Sequence, residues 1–248
     1  MDKRILLFIA LTLGTGFPEI SNGQTILNIQ PIQVFSVTSQ AANPSRTLYL
    51  DYLTAIWGQA GITINILPWH TFTDGGLFYQ YDTDPFGASN AFGNPQNYGG
   101  LPLSSNTINM WFVHTIADSS GGGYGFSKQG GNGVMISDAV FSANRYDTIS
   151  HEIGHNLGLD HTAFGAGPAD NLMSSSRTIP TSLSMVGSSS DVLLPAQQAQ
   201  AFSVGTSLGL LTSVPEPSDF GAIMGFVAMG WVFIKRRLAE PKGSRIDS

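Results

Sequence analysis

The sequence predicts an α/β (α+β) domain built around one hydrophobic core. Three observations carry this expectation. Apolar residues make up 42% of the 248 residues and charged residues 11%. An average soluble domain has about 25% charged residues, so a charge-driven disordered chain is a poor description. Segments of two-residue apolar alternation exchange along the chain with segments of three-to-four-residue spacing. No internal repeat divides them, so the elements are expected to share a core.

The elements follow in order. Ile32 to Val37 reads as a short strand. Asn43, Pro44 and Ser45 form a helix-start signal. Tyr49, Leu53, Ile56 and Ala60 continue it at helical spacing, and Gly61 is placed to end it in a left-handed conformation. Ile62, Ile64 and Ile66 alternate with Thr63, Asn65 and Leu67, which predicts a strand. Residues 74–106 are dense in Gly, Asn, Pro and Asp and read as a long irregular excursion. Ile108 to Ile116 is an apolar, aromatic strand candidate. Ser119 to Gly133 is a Gly-rich loop without the lysine and hydroxyl of a phosphate cradle, and Val134–Ile136 is a short strand after it. A helix is expected over about 147–157 with Asp147 as its cap. A Ser-rich stretch over 174–190 precedes a last helix from about Pro195 to Ser207.

Composition excludes several chemistries. The net charge is −6 and there is no cysteine. The first argues against a nucleic-acid partner, which needs clustered Lys and Arg. The second removes disulfide scaffolds, cysteine-based zinc sites and thiol catalysis.

Both ends read as sorting segments. Residues 1–23 combine the basic Lys3 and Arg4, an apolar stretch from Ile5 to Leu13, and small residues ending at Gly23. This is the order of a cleaved signal peptide. Residues 24–212 form the expected domain. Between residues 24 and 214 four Lys/Arg face eleven Asp/Glu, a net charge of −7. In residues 213–248, Pro215-Glu216-Pro217 precedes a charge-free helix at about 220–234 and then Lys235, Arg236 and Arg237. That helix is short for a membrane span but workable with snorkelling basic residues, and the basic cluster favours the cytoplasmic side. The whole order resembles the PEP-CTERM sorting signal of Gram-negative bacteria. The resemblance implies export, inner-membrane anchoring through the tail, processing by an exosortase-type enzyme, and a final location at the cell surface or outside the cell.

The informative segment runs from Asp147 to Thr162 and contains His151-Glu152-x-x-His155-x-x-Gly158-x-x-His161. His151 and His155 are one helical turn apart and project to the same side. Ile149, Ile153 and Leu157 lie about 200° away from that row, on a face suited to the core. Gly158 can end the helix sharply and let His161 return toward the other two. Three imidazoles leave one coordination position open, the pattern of a catalytic zinc site. Glu152, beside the first ligand, is placed as general base on metal-bound water.

This segment resembles the zinc-binding consensus of the metzincin metalloproteases. Asp170-Asn171-Leu172-Met173-Ser174 extends the resemblance, with Met173 matching the methionine of the Met-turn. The strong match covers roughly 145–175. The resemblance implies a single catalytic domain with a twisted mixed sheet, an active-site helix, a Met-turn and a C-terminal helix. It also implies one catalytic zinc ion and a protein or peptide substrate. On that reading Ile108–Ile116 is the edge strand along which substrate lies, and Arg177–Met185 walls the pocket. Ser175 stands where several families have a tyrosine, and Thr162 matches no usual family marker, so the family within the clan stays open.

Other candidates are weaker. His70 and His114 are expected to be packed or surface residues. Asp160 either orients a ligand or bonds its own turn. Asp74, Asp82 and Asp84 are the only grounds for calcium, and a solvated loop is the reading preferred for them. The function expected is an exported zinc endopeptidase. The alternative is a non-catalytic zinc-containing surface or matrix protein, and a small-molecule amidase is a third idea.

Overall fold

Strand β1 (Gln24–Phe35) is the spine of the molecule. The computed structural model describes residues 24–41, 46–81, 91–102, 105–117, 123–161, 171–174 and 192–214, and the compact unit is Gln24–Val214. The expected signal peptide, the sorting tail with its apolar helix, Asp82, Asp84, Ser175 and Arg177–Met185 lie outside the described residues. No helix among the described residues is long and apolar enough to cross a membrane.

β1 starts eight residues before the expected Ile32 and carries four neighbours. On one side, Thr25–Ile29 pairs in parallel with β2 (Ile62–Ile66), and Ile32–Phe35 pairs with β3 (His70–Thr73). On the other, Asn28–Gln33 pairs with β5 (Thr107–Val113), and Gln24–Leu27 pairs antiparallel with β9 (Leu211–Val214). Pro31 lies inside this strand although proline cannot donate to a ladder. It falls in the gap between the pairs Ile29↔Ile66 and Ile32↔His70, where β2 has ended and β3 has not begun.

The main sheet has the order β2-β1-β5-β8-β7. β8 (Gly133–Ser137) is parallel to β5, and β7 (Gly125–Ser127) is antiparallel to β8. Parallel and antiparallel pairs together make the sheet mixed. A separate pair joins β4 (Tyr79–Tyr81) to β6 (Thr115–Ala117).

Two expectations are corrected here. The Ile108–Ile116 strand divides at His114 into β5 and β6. β5 is not an edge. It pairs with β1 and β8, and all seven of its residues are buried. A continuous apolar run is what a strand covered on both faces looks like. The edge is β7, which lies inside the stretch expected to be a loop. Three residues, one of them glycine, give periodicity too little to detect.

Helices cover one face of the sheet. In α1 (Arg46–Gly58), Tyr49, Leu53, Ile56 and Trp57 are buried, and Gly61 takes φ +69° past its end, as expected. Tyr49 packs on Phe112 of β5, which also meets Trp69 and Phe141. Neighbouring side chains of β5 point the opposite way, as strand geometry requires. Buried Asn109 exchanges two hydrogen bonds with the backbone of Leu101, and Trp111 Nε1 donates to the Tyr98 carbonyl. The part of the excursion around Tyr98 and Leu101 is therefore pinned to the sheet. Within it, Asp74 Oδ1 accepts the Leu77 N–H at 2.9 Å and caps the one-turn helix α2 (Gly75–Phe78), a structural role. α3 (Ala139–Ser142), α4 (Asp147–Asn156) and α5 (Pro195–Ser207) complete the helices used below.

Candidate metal centre

α4 forms because its apolar and polar rows separate. Ile149, Ile153 and the adjoining Leu157 are fully buried, while His151 and His155 are half-buried on the other side. Asp147 is the first helical residue and not the cap, which is Tyr146. Its buried carboxylate accepts Arg145 Nε at 3.1 Å and Nη2 at 3.3 Å. An acidic side chain in the first turn also suits the helix dipole.

The end of α4 decides where the third histidine goes. Gly158 adopts φ +84°, and a Cβ there would lie 2.8 Å from Val204 Cγ1 of α5. Backbone conformation and helix packing both demand glycine at this turn. Its carbonyl accepts Gln129 Nε2 at 3.0 Å and Gln200 Nε2 at 2.7 Å. The chain then reverses, and Asp160 Oδ1 accepts the His161 N–H at 2.7 Å. Asp160 thus serves the turn rather than orienting a ring.

The three rings converge. His151 Nε2 and His155 Nε2 each stand 3.1 Å from His161 Nε2. At zinc–nitrogen distances of 2.0–2.1 Å, tetrahedral ligands are about 3.3–3.4 Å apart. His151 Nδ1 donates to the Leu172 carbonyl at 2.7 Å, and His155 Nδ1 donates to the Leu159 carbonyl at 2.8 Å. Each bond leaves the lone pair on Nε2, turned toward the common point. The donor set therefore fits one divalent ion, and the triad can hold a metal. His70, on the Gly99 carbonyl, and His114, 2.8 Å from Asp138, stand outside this cluster.

Met173 lies under the site. It is fully buried, and a Cβ on Gly154 would be 2.7 Å from its sulfur. The same turn supplies the Leu172 carbonyl that orients His151. Asn171 Oδ1 holds the Met173 N–H at 2.9 Å, and the Asn171 amide is paired with the Gln197 amide of α5 at 2.9 and 3.1 Å. Sequence reasoning placed Asn171 in the Met-turn but missed its pairing with Gln197, since nothing local marks residues twenty-six positions apart as partners.

Glu152 is buried beneath β7. Ser127 Oγ donates to its Oε2 at 2.6 Å, and a Cβ on Gly125 would be 2.7 Å from its Cγ. The turn between β7 and β8 is also tied to α4. Gly130 N–H bonds the His155 carbonyl at 2.9 Å, and Asn156 Nδ2 reaches the carbonyls of Lys128 and Gly133. Ser127 was missed too, one serine in a Gly/Ser-rich stretch.

Burial dominates the electrostatics. It pushes His151 from 6.5 down to about 4, against the opposing pull of the Leu172 carbonyl, and lowers His155 as well. It raises Glu152 from 4.5 to about 7, against the Ser127 hydroxyl. These shifts make opposing contributions to the stability of chelator-treated protein. Between pH 6.5 and 4 the unfolded chain binds a proton that His151 refuses when folded, so acidification destabilises. Between pH 4.5 and 7 folded Glu152 keeps a proton that the unfolded chain releases, so rising pH destabilises. Each slope is at most about 1.4 kcal/mol per pH unit. The Glu152→Gln variant should therefore lose more stability than wild type between pH 6.5 and 4.5. Thermal midpoints in chelator check this, and parallel curves for the two proteins would contradict it.

A helix carrying two imidazoles, a glycine turn, a third imidazole and a buried methionine together form a candidate site for one metal ion, bordered by a sheet edge. The sequence model of the Reprolysin-like metallo-peptidase family M12B matches residues 59–162, a stretch that includes all three histidines. No curated protein matches the chain. Among solved structures, the chain is similar to an archaemetzincin from Archaeoglobus fulgidus determined with malonate. The identity is 17% and the TM-score 0.37, over 60% of this chain and 85% of that one. An archaemetzincin from Methanopyrus kandleri is 10% identical with TM-score 0.46, over 72% of this chain and 94% of that one. Metalloproteinase-II from Bacteroides fragilis is 17% identical with TM-score 0.45, over 73% of this chain and 53% of that one.

Proposed function

We propose that the protein is an exported zinc endopeptidase. The observation that carries the reading is the convergence of the His151 and His155 Nε2 atoms on His161 Nε2, each at 3.1 Å, beside a buried glutamate under an edge strand. The match of residues 59–162 to a metallo-peptidase family supports it.

His151, His155 and His161 would hold the ion. Zinc at such a site supplies Lewis acidity, which polarises a carbonyl and acidifies water. Glu152 is the chain's proton carrier. It takes a proton from the attacking water on a carboxylate oxygen and delivers it to the leaving amine. Burial raises its proton affinity toward the working pH, which suits a group that must both accept and release. β7 ends the main sheet, so an extended peptide can add to it by backbone hydrogen bonds. The signal-like residues 1–23 and the tail at 213–248 support export and surface sorting in a Gram-negative bacterium.

Purified protein should contain one zinc per chain and cleave casein or gelatin. A chelator should abolish cleavage and added zinc should restore it. Zinc at full stoichiometry with no chelator-sensitive cleavage of any peptide or protein would favour the non-catalytic surface protein instead.

A further inference from the structure

We propose that Ser127 of the edge strand is a positioning residue for the Glu152 carboxylate, so that the strand offered to substrate also sets the geometry of the base. The inference rests on the peptidase reading above. A buried carboxylate is costly unless a donor meets it. Among the described residues, Ser127 is the one side chain that donates to it, at 2.6 Å. That length is in the range of a hydroxyl bonded to an ionised carboxylate, roughly 2.5–2.7 Å.

Strand alternation explains why one short element reaches the base at two points. Gly125 and Ser127 are two residues apart and face the same side. The Gly125 Cα closes over Glu152 Cγ and Oε1, where any side chain would collide, and the Ser127 hydroxyl holds Oε2. Phe126, between them, is turned away. It is 42% exposed and stacks on Phe92 at 5.8 Å. The turn that follows β7 is fixed to α4 through the Gly130 and Asn156 bonds, so the end of the strand that carries the serine is anchored to the helix that carries the glutamate. A hydroxyl on Oε2 limits rotation of the carboxylate and leaves its remaining lone pairs for the reacting proton.

Ser127→Ala should lower kcat about tenfold with KM and zinc content near wild type. Ser127→Thr, which keeps the hydroxyl, should recover most of the loss. Ser127→Val, isosteric with the threonine variant, separates hydroxyl from shape, and it decides the matter if the alanine variant folds poorly. A second readout needs no turnover. Thermal midpoints of chelator-treated wild type, Ser127→Ala, Glu152→Ala and the double variant should be non-additive, since each single change removes one partner of the same bond. Equal kcat for the threonine and valine variants, or additive midpoints, would overturn the proposal. If Glu152→Gln is inactive while Ser127→Ala is normal, this inference fails and the peptidase reading stands. If Glu152→Gln cleaves like wild type, the peptidase reading itself fails.

Discussion

Replacing Glu152 by alanine is expected to lower kcat/KM by about three orders of magnitude while zinc stays bound at unchanged stoichiometry. General acid–base catalysis contributes typically about 10²–10⁴-fold. The carboxylate is not needed to hold the ion, because three imidazoles already do so. Their Nδ1 partners, where seen, are the carbonyls of Leu172 and Leu159, so the ligand geometry does not lean on Glu152. Truncation also relieves a buried acid, so folding should not suffer much. Metal analysis and peptide-cleavage kinetics on the same preparation check both halves. Full activity in the alanine variant would remove Glu152 from the chemistry.

Gly158→Ala is expected to damage stability and metal binding together. The substitution forces φ +84° on a residue with a side chain, a cost of roughly 1–2 kcal/mol. The new methyl meets Val204 Cγ1 at 2.8 Å, an overpacking cost of about 1–3 kcal/mol. The sum, about 2–5 kcal/mol, corresponds to a fall in the melting midpoint on the order of 5–15 °C. His161 follows three residues later, so relief by shifting the turn displaces the third ligand, and zinc affinity should fall at least tenfold. A Gly158→Ala/Val204→Ala double variant should regain part of the stability and little of the strain term. Unchanged melting and unchanged competition for zinc would show that the turn tolerates a Cβ.

The parts legible in the sequence were those governed by local rules. Ile62, Ile64 and Ile66 alternate because β2 buries one face. Tyr49, Leu53 and Ile56 recur because α1 does the same at a helical period, and Gly61 marks its end. Pro195 to Ser207 needed only a proline start. The metal site was legible for the same reason, since His151, His155, Gly158 and His161 are coupled by one helix and one turn. What stayed hidden depends on partners distant in the chain. Pro31 lies inside a strand because two other strands leave a gap there. β7 exists because β8 pairs with it, and only sheet order reveals it, and not β5, as the edge. Ser127, Asn171 and Gln197 acquire their roles across 25 or 26 residues, and no spacing rule reaches that far.

The pairing of β1 with β9 makes Gln24 and Val214 register partners. The polypeptide enters and leaves this compact unit side by side, at the start of β1. A circularly permuted gene, with those two points joined by a short linker and new ends opened elsewhere, should still yield a folded product. During synthesis, the spine strand must also wait until Leu211–Val214 has left the ribosome before its final neighbour arrives, so completion of the sheet is a late, long-range event.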